Sequence, residues 1–529
     1  MLSAFLTYAE FQGFWARFAP ETPYGREQKD LLKLHTDPAA LEAIWDRTDT
    51  ALALLAELEA DPVRLNRVSH HLKRLPRLPL EPRDRYSEVE LFQFKKFLHN
   101  YQALAELLGP AVQAAFGWAG GSESFGQLLN TGRQSPESFY VADDYSPELK
   151  EVRRQLRAVD AERRDLRQER LGLIERRWSV AFGTRDFVLV ARAALADPAQ
   201  AGELMLVEPF DDGHWLLRPL AGAAELALGD RREALLAREQ GLEGEVLDRI
   251  SAAARQELAA FGRYVDAVRG FDLAFARARL AREWRLIRPV LAEGPVRIQA
   301  GRFLPCEAMC ATLGTGYTPL DAEFDTSVTV VFGSNMGGKT VVLKTLAFLQ
   351  LCVQTGLFAP AAAFTTRVFR HFHFVGEGAA QDAKGLSGFG REIAQFNAAW
   401  ADFQQPTLAL FDEFARTTQS QEAEALLSAA QEAMIALPAV LALFSTHFRG
   451  VRRFQGARYL RMGGLDRAGL ERAEDAAIEA RIRLINRHMD YRLMADDGSR
   501  ASDALTVAAL LGLDPGISRK AETYLNLDH

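Results

Sequence analysis

From the N-terminus to about Pro136, apolar residues recur at helical spacing with few strand-like alternations, as in Leu41-Glu-Ala-Ile-Trp45 and Leu52-Ala-Leu-Leu-Ala-Glu-Leu58. This pattern predicts a helical domain, broken at Pro76, Pro79 and Pro82 and loosened between Gly117 and Gly126. Ser146-Pro147-Glu148 then gives a strong helix start, with a capping hydroxyl, a proline in the first turn and an acid beside it. It opens a charged stretch running to about Trp178. Val152, Val159, Leu166 and Leu173 repeat every seven residues there, and Leu149 and Leu156 add a second seam that ends at Arg163 and Arg170. The stretch reads as a protruding lever with a coiled-coil-like seam; a long surface helix packed on its own domain is the alternative.

Phe187–Ala191, Glu203–Val207 and His214–Arg218 follow as short strands separated by turn residues, which predicts a small β-containing tip. A return helix is expected from about Asp230 to Arg288, interrupted at Gly241, Gly244, Gly262 and Gly270 and closed by Pro289. Beyond Pro295 strands and helices alternate. The buried-strand runs Val328–Phe332, Leu408–Phe411 and Val440–Phe444 predict an α/β domain with a largely parallel sheet. The expected multidomain layout is a helical core over 1–145, a lever helix and tip over 146–240, a returning lever over 241–294 and an α/β domain over 295–529.

With 529 residues the chain has room for about three or four domains of ~150 residues each. Its 48% hydrophobic and 25% charged residues are ordinary for a folded, water-soluble protein. The net charge of −7 argues against a globally basic nucleic-acid binder, although a local basic groove remains compatible with it. Cys306, Cys310 and Cys352 are three cysteines without zinc-type spacing, so neither a disulfide framework nor a structural metal site is expected, and a cytoplasmic location fits best. No apolar run approaches the ~18 residues of a spanning helix, and no export signal is expected.

Gly333-Ser-Asn-Met-Gly-Gly338-Lys339-Thr340 follows the strand ending at Phe332 and precedes an apolar helix, the context a phosphate-binding loop requires. Gly333, Ser334, Asn335, Met336, Gly337 and Gly338 let backbone N–H groups turn onto phosphates. Lys339 reaches the outer phosphates and the Thr340 hydroxyl can ligate Mg²⁺. Thr407-Leu-Ala-Leu-Phe-Asp412-Glu413 is an apolar strand ending in two carboxylates; strand ends of parallel sheets face the ligand crevice. Asp412 is expected to hold Mg²⁺ and Glu413 to orient or deprotonate the attacking water. Alone, such a pair is more often a solvated strand end, and its coupling to the loop changes the reading. Leu443-Phe-Ser-Thr446-His447 is a third strand with a polar tip, where His447 could sense the γ-phosphate. A lone histidine would otherwise be structural. The chain is thus expected to be an ATPase using ATP and Mg²⁺.

Gly-Ser-Asn-Met-Gly-Gly-Lys-Thr, Leu-Phe-Asp-Glu-Phe-Ala-Arg and Phe-Ser-Thr-His together resemble the ATPase motifs of the MutS family within the ABC ATPase superfamily. The resemblance implies an α-helical core and lever with long coiled helices and a clamp-like tip, followed by a P-loop ATPase domain that works as a homo- or heterodimer. Gly385-Leu-Ser387-Gly-Phe389-Gly-Arg391-Glu392 sits where the family has its signature segment, which makes Ser387 the candidate contact to ATP bound by the partner subunit. Tyr317 lies where the family places an aromatic over the adenine; core burial is the other reading. Thr22-Pro-Tyr-Gly-Arg26 resembles the start of the family's helical core, Tyr145–Leu149 the start of its lever and clamp, and Ser502–Gly512 the helical segment that packs at its ATPase dimer.

The sequence also departs from the family. The helical pattern begins almost at residue 1, which on this resemblance leaves no room for an N-terminal mismatch-reading domain. Ala415-Arg-Thr-Thr-Gln-Ser420 stands where the family prefers Gly-Arg-Gly-Thr-Ser, which restricts the backbone beside the expected dimer interface. Residues 146–178 hold ten Arg or Lys against seven Asp or Glu, a thin excess for enclosing duplex DNA. Two functions are therefore expected as alternatives. One is a DNA-binding or DNA-remodelling ATPase of the mismatch-repair family without classical mismatch reading. The other is an ATP-dependent reactivating factor for a cobalamin-dependent lysine or ornithine aminomutase.

Overall fold

In the computed structural model, which describes residues 2–132, 134–183, 185–195, 201–202, 204–334, 337–377, 387–466, 478–498 and 503–527, Ser146 caps the helix Pro147–Trp178. Its Oγ accepts a hydrogen bond from the Leu149 N–H at 3.4 Å. The chain divides into two compact units. One comprises His70–Gly109 and Gly117–Val268, the other Met1–Ser69, Pro110–Phe116 and Arg269–His529.

In the first unit, the helix Pro147–Trp178 runs antiparallel to the part of the helix Ala223–Trp284 that precedes Arg269. Arg153 bonds Glu239 Oε1 at 2.7 Å and Glu243 Oε1 at 2.5 Å, while Asp160 accepts from Arg232 at 2.7 Å. The heptad seam holds for its first half only. Leu149, Val152, Leu156 and Val159 are buried, but Leu173 is 52% exposed. The expected interruptions of the return helix do not occur, because Ala223–Trp284 is one continuous helix of 62 residues. Each interior glycine costs about 1 kcal/mol of propensity, and the buried stripe Val246, Ile250, Ala254, Phe261, Val265 and Val268 offsets it. The tip is a three-stranded antiparallel sheet of β1 (Val188–Ala191), β2 (Met205–Pro209) and β3 (His214–Pro219), in the order β1-β3-β2.

The second unit contains β4 (Val290–Leu291), β5 (Val296–Gly301), β6 (Leu320–Phe324), β7 (Val328–Phe332), β8 (Ala363–Thr366), β9 (His371–Gly376), β10 (Thr407–Asp412), β11 (Val440–Thr446), β12 (Ala457–Leu465) and β13 (Met489–Ala495). Its principal sheet has the order β13-β12-β7-β11-β10-β9 and is parallel except where β13 pairs with β12. A second sheet, β4-β8-β5-β6, pairs antiparallel at β5 with both β6 and β8. The expected largely parallel sheet therefore comes with a separate, mostly antiparallel one.

Alternation along the central strands feeds both faces of the principal sheet. Leu408, Leu410, Leu441 and Leu443 pack towards the helix Lys339–Gln354. Ala409, Phe411, Ala442 and Phe444 pack towards the helix Ser420–Ile435. No helix among the described residues is long and apolar enough to cross a membrane.

The sequence reading places residues 1–145 together, whereas the structure divides them between the two units. The physical reason lies in the first aromatic residues. Phe11 and Phe14 meet Phe348 at ring separations of 5.7 and 5.2 Å, and Phe5 meets Phe372 at 5.2 Å, so this segment shares the core of the α/β unit. Thr22 caps the helix Pro23–Asp30 and is itself fixed by buried Asp272, which accepts from Glu21 N at 2.8 Å, Thr22 N at 2.9 Å and Thr22 Oγ1 at 2.6 Å. A Cβ at Gly25 would come within 2.2 Å of Asp272 Oδ2, which explains the small residue in Thr-Pro-Tyr-Gly-Arg. Asp272→Asn puts an amide N–H against backbone N–H groups. It is expected to destabilise this unit by about 2 kcal/mol, the cost of an orphaned buried donor. Denaturant unfolding followed on this unit by hydrogen exchange measures the loss, and an unchanged stability would refute the role of Asp272.

Candidate functional site

Strand register brings the three motifs to one edge of the principal sheet. Asp412 pairs across with Ser445, and Thr446 pairs with Phe332, the residue before the glycine loop. The polar tips of β10 and β11 and the glycine loop after β7 therefore lie side by side at the N-terminus of the helix Lys339–Gln354, whose partial positive charge favours an anion.

Gly338 occupies the cap position of that helix with φ +89°, and a Cβ there would lie 3.1 Å from Tyr491 Cδ1. The positive φ favours glycine there, and a Cβ would also press on the Tyr491 ring. Lys339 is 3% exposed, and its Nζ donates to Gly333 O and Ser334 O at 2.9 Å each and lies 3.3 Å from Glu413 Oε1. Burial lowers the Lys339 pKa from its ordinary value, against the pull of Glu413 and Asp412. Thr340 Oγ1 donates to Asp412 Oδ1 at 3.1 Å, and Ser445 Oγ donates to the same oxygen at 2.5 Å. His447 Nδ1 is 3.7 Å from Glu413 Oε1. Gly333, Ser334, Gly337, Gly338, Lys339, Thr340, Asp412, Glu413 and His447 are thus brought together. Asn335 and Met336 lie outside the described residues, as do Gly385 and Leu386 of the signature segment and Ser502.

The residues present fit a nucleotide with its metal. Among the described residues Ser334 Oγ is buried without a hydrogen-bond partner, a donor in the loop that would meet phosphate oxygens. The Thr340 hydroxyl and Asp412 carboxylate, already paired, are the oxygen donors that Mg²⁺ takes. Beside them a cavity of about 340 Å³ is walled by Met309, Leu313, Tyr317, Thr340, Asn486 and Tyr491. Tyr317 lines this cavity, and its hydroxyl accepts from Phe303 N at 2.7 Å, so the ring is held at the wall. Its pKa is pushed up to about 12 by burial.

Ser387 stands apart. It caps the helix Gly388–Trp400, accepting from Gly390 N at 3.1 Å, and does not line this cavity.

Sequence reasoning missed Tyr8, Ser445, Asn486 and Tyr491. Ser445 lies inside the Phe-Ser-Thr-His motif, where pairing with Asp412 could have been foreseen. Tyr8 has no local signal, because it lies 404 residues from its partner: its Oη donates to Asp412 Oδ2 at 3.3 Å. The Tyr8 ring stacks on Phe374 at 3.8 Å, and burial, then Asp412, keep its hydroxyl protonated far above the ordinary range.

The non-glycine segment after Glu413 shows its cost directly. Ala415 has φ +62° and is fully buried, with its N–H donating to Glu392 Oε2 at 2.9 Å. The left-handed conformation costs an L-residue about 1–2 kcal/mol, and a buried methyl returns about 0.8 kcal/mol. Ala415→Gly is accordingly expected to change stability by less than about 1 kcal/mol. Ala430→Gly, in the helix Ser420–Ile435, loses helix propensity and a buried methyl together, about 1.5 kcal/mol or more. Denaturation midpoints decide it, and a larger loss at Ala415 would overturn the strain reading.

The site belongs to the α/β unit with the mostly parallel sheet. Residues 329–521 match MutS domain V. The chain is 31% identical over 417 residues to endonuclease MutS2 of Thermomicrobium roseum, covering 73% of this chain and 48% of that protein. It is 29% identical over 411 residues to endonuclease MutS2 of Solidesulfovibrio magneticus, again 73% and 48%. To the DNA mismatch repair protein MutS of Azorhizobium caulinodans it is 28% identical over 304 residues, 54% of this chain and 32% of that one. These matches support membership of the MutS family, and the chain spans about half the length of the MutS2 relatives.

Proposed function

We propose that this protein is a MutS-family ATPase that binds and hydrolyses ATP with Mg²⁺ as a dimer and couples the cycle to DNA without reading mismatches. The convergence of Lys339, Thr340, Asp412 and Glu413 at one sheet edge carries the proposal. ATP supplies the phosphoanhydride bond and Mg²⁺ neutralises charge on its phosphates. Lys339 would bind the outer phosphates from its place among the loop carbonyls. Thr340 and Asp412, the latter oriented by Ser445 and Tyr8, would hold the metal. Glu413 would take the proton of the attacking water, with His447 beside it at the γ-phosphate end.

Ser387 would complete the site of the second subunit, at the start of a helix whose N-terminus favours anions. Tyr317 would provide the base platform. The antiparallel helix pair and its β-sheet tip would serve as lever and clamp. The relatives' names, MutS2 and DNA mismatch repair MutS, favour a DNA-directed cycle over reactivation of an aminomutase.

The test is ATP turnover with duplex, branched and single-stranded DNA at several salt concentrations. Stimulation by at least one DNA form, with binding that falls steeply as salt rises, is expected. A rate and an affinity indifferent to every DNA form would sink the DNA coupling while leaving the ATPase intact.

A further inference from the structure

β9 opens with His371-Phe-His373, and the period of two along a strand sends both imidazoles to one face. Their rings are nearly parallel, at 16° and 6.4 Å between centroids. Asp402, just past the helix Gly388–Trp400, reaches both: its Oδ2 is 3.2 Å from His371 Nδ1 and 2.9 Å from His373 Nε2. The three candidate ligand atoms all lie within 4.8 Å of one another. Around a tetrahedral ion with bonds of about 2.0–2.1 Å, neighbouring ligand atoms stand about 3.3 Å apart. The two edges through Asp402 already have close to that length.

The outer surroundings match as well. His371 Nε2 faces Gln405 Oε1 at 3.3 Å. That contact engages one ring nitrogen and leaves Nδ1 as the one that faces the Asp402 carboxylate. A hydrogen bond on the far ring nitrogen is also what orients a metal-bound imidazole. His373 is 3% exposed, so its approach to Asp402 is held by the packing around it.

We propose that His371, His373 and Asp402 form a binding site for a zinc-class transition metal ion, with water completing the coordination. Two imidazoles and one carboxylate suit Zn²⁺ or Co²⁺, whereas Mg²⁺ and Ca²⁺ require oxygen donors. β9 is the edge strand of the principal sheet, and both histidines lie in its first half, away from the end where Gly376 pairs with Asp412. The metal site is therefore separate from the nucleotide site. An ion there fastens the far end of the helix that Ser387 begins to the sheet edge, replacing a hydrogen-bonded contact with coordinate bonds.

The experiment uses the full chain stripped with a chelator and titrated with Zn²⁺ and, separately, Co²⁺. About one equivalent of Zn²⁺ is expected to bind, with millimolar Mg²⁺ failing to displace it. Co²⁺ is expected to give the visible absorption of a four-coordinate ion, and amide exchange in residues 388–403 should slow when Zn²⁺ is added. His371→Ala, at a ring whose side chain is 31% exposed, should abolish binding while leaving the metal-free melting temperature near wild type. Asp402→Asn should also lose the ion, and Gln405→Ala should weaken it about tenfold through the outer contact. His99→Ala, in the other unit, serves as the control for adventitious histidine binding and should bind normally. Binding that persists undiminished in both His371→Ala and Asp402→Asn, or no stoichiometric binding to the wild type, would overturn the proposal.

Discussion

Glu413→Gln is expected to retain ATP binding and to slow hydrolysis by about 10²–10⁴-fold, the contribution typical of a positioned general base. The substitution keeps the shape of the side chain and removes its ability to take a proton. Binding should survive because Lys339 remains held by the carbonyls of Gly333 and Ser334, both at 2.9 Å, and the Thr340–Asp412 pair does not involve Glu413. The backbone at this position, φ +51°, is fixed by its N–H donating to Ser445 O at 3.1 Å and does not depend on the carboxylate. Phosphate release under saturating ATP, set beside calorimetric titration with nucleotide, separates the two quantities. Turnover at the wild-type rate in this variant would refute the assignment of Glu413, and loss of ATP binding would mean that its charge holds the loop together.

This prediction was accessible from sequence because the physics that builds the site is local at each strand. Thr407–Asp412 and Val440–Thr446 are apolar runs that end abruptly in polar residues, Val328–Phe332 runs directly into the glycine loop, and parallel register then aligns the three ends without further instruction. The loop glycines are legible for the same reason: Gly338 sits at φ +89°, where only glycine is unstrained.

What was illegible depends on distant partners. Tyr8 reaches Asp412 across the fold, and Phe5, Phe11 and Phe14 join the α/β core only because Phe348 and Phe372 wait for them there. A helical period reports that a face is buried and does not report against what. Gly241, Gly244 and Gly262 misled for the converse reason, since local propensity favours a break and the buried stripe of the long helix outweighs it. The division into two units was hidden in part because one boundary, after Val268, falls inside that continuous helix.

Lys339→Ala is expected to act one step earlier than Glu413→Gln, on binding itself. A charge-assisted hydrogen bond from a buried lysine contributes about 1.5–3 kcal/mol, which corresponds to a loss of roughly 10- to 150-fold in nucleotide affinity. The geometry adds a second effect. Removing Nζ leaves the Glu413 carboxylate, now 3.3 Å from it, facing the phosphate position without its cation. Repulsion between that carboxylate and the nucleotide should then push the loss to the upper end of the range. The double variant Lys339→Ala with Glu413→Gln discriminates between the two contributions. If the carboxylate adds repulsion, the double variant binds ATP more tightly than Lys339→Ala alone, and the two substitutions are non-additive as expected for groups in contact. Equal affinities in the single and double variants would reduce the role of Lys339 to its direct bond with phosphate, and unimpaired binding in Lys339→Ala would remove it from the site.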